Sequence, residues 1–126
     1  MRFAVLAIAA ACLCRAENAC PWLNNATAAG FLGGAVTASV KPGLCEFRSD
    51  KAMLRIEVEK KPTVLPAKCA PLAAIGNEAV VCGAGAVETV IGRVRDQRFA
   101  VSITASEPAT RGKTRKVAEQ VAGSLF

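Results

Sequence analysis

The sequence contains no histidine and no tyrosine, and it has a single tryptophan among its 126 residues. Histidine is the commonest general base near neutral pH and a common ligand of zinc and haem, so its absence disfavours most hydrolytic and metal-dependent mechanisms. Gly83 and Gly85 lack the third glycine and the following helix of a dinucleotide site, and no histidine accompanies Ser49 as a general base. We therefore expect no catalytic residue, no metal site and no cofactor.

The chain also lacks an apolar run of the roughly 20 residues that a membrane-spanning helix needs. A shorter apolar run extends from Phe3 to Leu13, after Arg2 and before the small residues that end at Ala16. This order is typical of a secretory signal peptide. We predict that residues 1–16 are removed by cleavage after Ala16 and that the mature chain, from Glu17, is periplasmic or secreted and has no transmembrane segment.

A lipoprotein is the alternative interpretation of this leader. Three alanines precede Cys12, which would then carry the acyl chains, but the position three before Cys12 is alanine instead of the usual leucine. Cleavage after Ala16 would remove Arg2 and Arg15 and reduce the net charge from +6 to +4. The predicted mature chain is therefore only modestly basic.

Four cysteines remain in the predicted mature chain, namely Cys20, Cys45, Cys69 and Cys82. An even number in a small exported chain indicates two disulfides, and counting alone allows three pairings. We favour Cys20 with Cys45 and Cys69 with Cys82, because each pair closes a short loop between neighbouring elements. No pair has the close spacing of a zinc site, and there is no Cys-x-x-Cys redox motif.

Hydrophobic patterning predicts a single α+β domain over residues 17–126. A helix is predicted from Asn25 to Leu32, since Asn24 or Asn25 can cap its start and Gly33 can end it. An amphipathic helix is predicted over 114–125. Alternation of apolar and polar residues predicts strands near 36–40, 45–47, 54–58, 78–82, 87–94 and 99–104. Three prolines predict an ordered loop between 60 and 76. We expect an antiparallel sheet of five to six strands, with the C-terminal helix packed on one face.

The opening of the mature chain resembles a known group of proteins. Cys20-Pro21-Trp22-Leu23 leads into a helix that contains Thr27 and ends in Leu-Gly, and a Cys-x-aromatic strand and an Ile-Gly-Asn-Glu-Ala turn follow. This order is similar to small exported bacterial domains of unknown function, often lipoproteins of actinobacteria, and more loosely to the extracellular sensor domains of mycobacterial receptor kinases. The resemblance implies a fold and an extracytoplasmic compartment, and it implies no catalytic residues.

Two groups of basic residues are candidate contacts for an anionic partner. One group lies just before and within the last helix, and the other lies at the predicted hairpin: Arg111, Lys113, Arg115 and Lys116, and Arg93, Arg95 and Arg98. Such charges suit the phosphates of lipopolysaccharide or lipid head groups. No aromatic residue lies between them, so we do not expect nucleic acid as the partner. A solvated surface without a partner is the simpler interpretation of both groups.

The sequence therefore predicts a non-catalytic, exported binding or envelope-associated domain. Its partner is not identified by the sequence; an envelope protein, a glycan or an anionic surface would suit the polar sheet face or the basic hairpin. An extracytoplasmic enzyme or an enzyme inhibitor is the alternative. Asn25-Ala26-Thr27 is also a glycosylation sequon, although at a helix start Asn25 is better interpreted as a cap.

Overall fold

The structure, a computed structural model, describes residues 19–61 and 64–126. The predicted signal peptide and the alternative acylation site at Cys12 lie outside the described residues. Within them, the chain forms seven strands and three helices. In chain order these are α1 (Asn25–Leu32), β1 (Thr37–Lys41), β2 (Leu44–Arg48), β3 (Ala52–Glu59), β4 (Ala70–Leu72), β5 (Glu78–Ala84), β6 (Val87–Val94), β7 (Gln97–Ala105), α2 (Pro108–Arg111) and α3 (Thr114–Leu125).

The strands form one sheet in the order β1-β2-β3-β7-β6-β5-β4, and every neighbouring pair is antiparallel. Strands β1 to β3 form one meander, and β4 to β7 form a second that returns to the first. The two meanders meet where β3 pairs with β7, from Ala52 opposite Ala105 to Glu59 opposite Arg98. This junction places the most regular apolar alternation of the sequence at the centre of the sheet.

The core lies between one face of the sheet and the two longer helices. Leu54 and Ile56 of β3 are fully buried beside Ile103 and Val101 of β7, because alternate residues of a strand point to the same face. Helix α3 packs on β6 and β7 and buries the stripe that periodicity predicts: Val117, Ala118, Val121 and Ala122. Helix α1 packs on β3 and buries Ala28 and Leu32. Both helices therefore cover the same face.

Both disulfides pair as predicted. Cys20 is bonded to Cys45, with a Cα–Cα distance of 6.0 Å, and this bond fixes the segment before α1 to β2. Cys69 is bonded to Cys82, with a Cα–Cα distance of 4.9 Å, and it fixes the segment between β3 and β4 to β5. Cys45 is fully buried, because alternation along β2 places it on the same core-facing side as Phe47.

The predicted α+β architecture is confirmed, but three details differ. The proline-containing loop includes a short edge strand, β4, which raises the strand count to seven. Pro71 is tolerated there because an edge strand can lack one N–H donor. Strand β5 continues through Gly83, so the turn into β6 begins later than predicted. Helix α2, with Pro108 in its first turn, was not predicted.

Candidate functional site

The structure separates the two predicted groups of basic residues. Arg93 and Arg98 are cross-strand partners. They lie on the sheet face away from the helices, since the neighbouring Phe99 side chain is buried in the core and alternate residues face opposite sides. The second group lies on the helix side: Arg111 ends α2, Lys113 precedes α3, and Arg115 and Lys116 are in its first turn. Thr114 lies close to the opposite end of β6. The eight residues of β6 span about 25 Å. The two groups therefore do not form one continuous basic surface.

The hairpin arginines make contacts with neighbouring residues at one end of the sheet. The Arg93 Nε lies 3.0 Å from Glu78 Oε2, and its Nη1 donates a 2.8 Å hydrogen bond to the carbonyl oxygen of Arg95. The Arg98 Nη1 lies 3.6 Å from Glu59 Oε1. The backbone N–H of Arg95 donates to Asn77 Oδ1 over 2.7 Å. The side chains of Arg93 and Arg98 thus make structural contacts around the β6–β7 turn, whereas Arg95 contributes only its backbone and has no carboxylate of the described residues within 4.0 Å.

Two of the four helix-side cations also have structural partners. The Arg111 Nη1 donates hydrogen bonds to the carbonyl oxygens of Ala105 and Ser106, over 2.8 and 3.0 Å, and so closes the connection from β7 into α2. The Arg115 Nε lies 3.9 Å from Glu88 Oε2, where the arginine side chain is more than half exposed. Arg111 is thus committed to the backbone, and Arg115 makes a weak surface ion pair.

Lys113 and Lys116 differ from the other helix-side cations. Among the residues that the structure describes, no carboxylate oxygen lies within 4.0 Å of either ammonium group. The two lysines are three residues apart, so they lie on the same side of the helix entrance. Both therefore present uncompensated positive charge to one region of the surface.

That region is a groove between α1 and the start of α3, which we call the α1–α3 groove. It has a volume of about 410 Å³ and is lined by Thr27, Gly30, Phe31, Lys113 and Lys116. The first three residues are spaced i, i+3 and i+4 along α1 and share one face of that helix. Its walls are largely apolar, and its lining residues include an aromatic side chain, Phe31, and two lysines with alkyl stems.

Two other cavities lack this combination of apolar walls and unpaired cations. A cavity of about 480 Å³ lies between the segment of Leu65 and Pro66 and the β4–β5 region, and Glu78 is the charged residue in its lining. A smaller cavity of about 180 Å³ next to Gly33 is lined by both Asp50 and Lys51. The α1–α3 groove is accordingly the strongest candidate site in the described part of the chain.

The sheet face away from the helices offers no comparable concentration of one charge. Arg55 lies 3.9 Å from Glu46 and 3.6 Å from Glu57, so the central cation of this face is flanked by two carboxylates. Lys60 and Asp96 are also paired, with 3.7 Å between Nζ and Oδ2. Opposite charges placed this close compensate each other, and this face is therefore polar with little net potential.

No helix within residues 19–61 and 64–126 is long and apolar enough to cross a membrane. The same residues contain no cluster of three or more histidine, cysteine, aspartate or glutamate side chains with the geometry of a metal site. Neither family models, curated proteins nor solved structures gave a match to this chain. The chemistry of the groove must therefore be argued from its own residues.

Sequence reasoning named Lys113 and Lys116 but not the opposite wall of the groove. Thr27, Gly30 and Phe31 belong to a helix that the sequence predicts, yet which neighbour that helix faces depends on where α3 packs. One local signal was available, namely a glycine in the interior of a predicted helix, which weakens a helix unless something requires it. The structure shows that this glycine, Gly30, lines the α1–α3 groove.

Proposed function

We propose that the protein is an exported, non-catalytic binding domain that recognises an anionic surface or head group through Lys113 and Lys116. The observation that carries this proposal is the position of the two lysines, which lack carboxylate partners among the described residues and line one apolar groove. Cations that are paired with carboxylates offer less to an incoming anion. Lys41, Lys68 and Arg95 also lack carboxylate partners among the described residues, but they line none of the three cavities.

Export is supported by three features. The leader over residues 1–16 has the composition of a signal peptide. Two disulfides join all four cysteines of the described residues, and such bonds persist in oxidising compartments. The resemblance to small exported bacterial domains points to the same compartment. We propose that the mature protein begins at Glu17 and acts in the periplasm or outside the cell.

A vesicle-binding measurement tests the proposed function. The soluble protein is sedimented with vesicles of phosphatidylglycerol and phosphatidylcholine, and with vesicles of phosphatidylcholine alone, at low and at physiological salt. We expect binding to the anionic vesicles only, and weaker binding as salt rises, because exposed charges are screened over about 8–10 Å.

Two double variants separate a specific site from net charge. K113Q/K116Q removes the groove lysines, while K41Q/K68Q removes two exposed lysines outside the groove and changes the net charge equally. We expect K113Q/K116Q to abolish sedimentation and K41Q/K68Q to retain it. Equal loss in both variants, or no binding by the unmodified protein, would overturn the proposed function.

A further inference from the structure

Gly30 lies in the interior of α1, where glycine is an unfavourable choice. A glycine within a helix destabilises it by about 1 kcal/mol relative to alanine. Glycine is usually required there by a positive φ or by a close neighbour, but Gly30 has helical geometry, and a Cβ built on it would meet no heavy atom within 4 Å. No contact among the described residues accounts for it. The same is true of Gly123 in α3, so the position of Gly30 in the groove, and not the glycine by itself, is what distinguishes it.

The space above Gly30 is the α1–α3 groove itself. Because Gly30 lines the groove and carries no side chain, an external group can approach the helix backbone there. Phe31 lies beside it and packs against the core, which gives the groove a fixed aromatic wall. An apolar surface of this kind suits an alkyl group.

The two lysines define the other half of the ligand. Lysine packs its alkyl stem on apolar surface and keeps its ammonium group in water. Lys113 is half-buried and Lys116 is exposed, and both line the groove. An apolar group in the groove therefore passes along the lysine stems and ends close to two positive charges, which an anionic head group would complement.

The size of the groove decides between a small ligand and a protein. A volume of about 410 Å³ falls within the range of about 300–1,000 Å³ typical of small-molecule sites. A specific protein interface buries about 800 Å² on each partner and involves some 20–30 residues a side. The five residues that line the groove would supply only a small part of such an interface.

We propose that the α1–α3 groove binds one alkyl chain of an anionic amphiphile, with the chain against Gly30 and Phe31 and the carboxylate or phosphate between Lys113 and Lys116. This inference rests on the proposed function and names its ligand class. The amphiphile is a lipid that remains in a membrane, because the proposed function places the two lysines against an anionic surface.

Calorimetric titration with monomeric dodecanoate, kept below its micelle-forming concentration, tests this ligand class. We expect saturable binding to a single site. Shortening the chain to hexanoate should weaken binding by up to about fourfold for each methylene removed from the groove. Dodecyltrimethylammonium, which has the same chain and a positive head group, should bind at least about tenfold more weakly, because the lysines repel it.

Gly30→Leu tests the chain site, and Gly123→Leu is its matched control. Gly123 is also an exposed helical glycine with no heavy atom within 4 Å of a built Cβ, but it does not line the groove. Leucine favours the helix at both positions, so both variants should fold, and circular dichroism verifies this. We expect G30L to weaken dodecanoate binding at least about tenfold and G123L to leave it unchanged.

The outcomes distinguish a failure of the proposed alkyl-chain site from a failure of the proposed function. If K113Q/K116Q abolishes vesicle binding while chain length and G30L change nothing, the proposed function stands and the alkyl-chain site is overturned. Equal effects of G30L and G123L on dodecanoate binding would also overturn it. If G30L weakens both dodecanoate and vesicle binding, the membrane-lipid proposal is supported; if it weakens dodecanoate binding alone, the ligand is a free amphiphile and the membrane-lipid proposal is overturned.

Discussion

The ring of Phe99 lies directly over Gly92, its cross-strand partner on β6. A Cβ built on Gly92 would lie 2.7 Å from Cε2 of that ring and 2.9 Å from the carbonyl oxygen of Glu78. Phe99 is fully buried, so its ring has nowhere to move. The glycine and the aromatic residue thus form one packing unit at the end of the sheet that carries the hairpin arginines.

We predict that Gly92→Ala lowers the free energy of unfolding by about 1–3 kcal/mol, because the added methyl group overpacks the core against Phe99. The measurement is denaturant unfolding under non-reducing conditions. Gly83→Ala is the control: it also lies in a strand, but a Cβ there meets nothing within 4 Å. It should change stability by less than about 0.5 kcal/mol. Equal effects of the two substitutions would contradict this packing.

The two disulfides should differ in their contribution to stability. The Cys20–Cys45 bond closes a separation of 25 residues and Cys69–Cys82 one of 13, which corresponds to about 3.5 and about 3 kcal/mol of loop entropy. Replacing buried Cys45 also leaves a cavity. We therefore predict that C20A/C45A unfolds at lower denaturant than C69A/C82A. The reverse order would show that the first bond is not the stronger constraint.

Asn24, and not Asn25, caps helix α1. The Asn24 Oδ1 accepts a 2.8 Å hydrogen bond from the backbone N–H of Thr27. We predict that Asn24→Ala lowers the free energy of unfolding by about 1 kcal/mol. Asn25→Ala, which leaves the cap intact, should change it by less than about 0.5 kcal/mol. A larger loss from the Asn25 substitution in thermal unfolding would refute this assignment.

Substitutions of Arg111 and Arg115 remove the same charge but should differ in their effect on stability. Arg111→Met removes the Nη1 donor and its two hydrogen bonds to the backbone carbonyls of Ala105 and Ser106, and we predict a loss of about 1–2 kcal/mol in unfolding free energy. Arg115→Met removes an equal charge but only an exposed ion pair at 3.9 Å, and should cost less than about 0.5 kcal/mol. Comparable losses in chemical denaturation would contradict the bracing role of Arg111.

Much of the fold could be predicted because its signals are local. The alternation around Leu54 and Ile56 marks a strand with one buried face, and the stripe from Val117 to Ala122 marks a helix with one. Short loops between neighbouring elements favoured the disulfide pairing that the structure shows. Strand β4 was missed because three residues with Pro71 among them leave almost no periodicity to detect.

The site was harder to predict because it is formed by tertiary packing. The sequence places Lys113 and Lys116 on one side of a helix, but the opposite wall, Gly30 and Phe31, is more than 80 positions away in the chain. The two walls face each other only because β3 pairs with β7, while α1 packs on β3 and α3 packs on β7. Basic residues close in sequence, such as Arg93 and Arg98, proved to be paired with carboxylates.

The most direct test of the account is to map where an anionic amphiphile binds. The measurement is a titration of ¹⁵N-labelled protein with monomeric dodecanoate, followed by amide chemical shifts. We predict that the largest changes occur at the groove residues, Thr27, Gly30, Phe31, Lys113 and Lys116. Changes centred on the hairpin of Arg93, Arg95 and Arg98 or on the cavity beside Leu65, or no changes at all, would contradict the account.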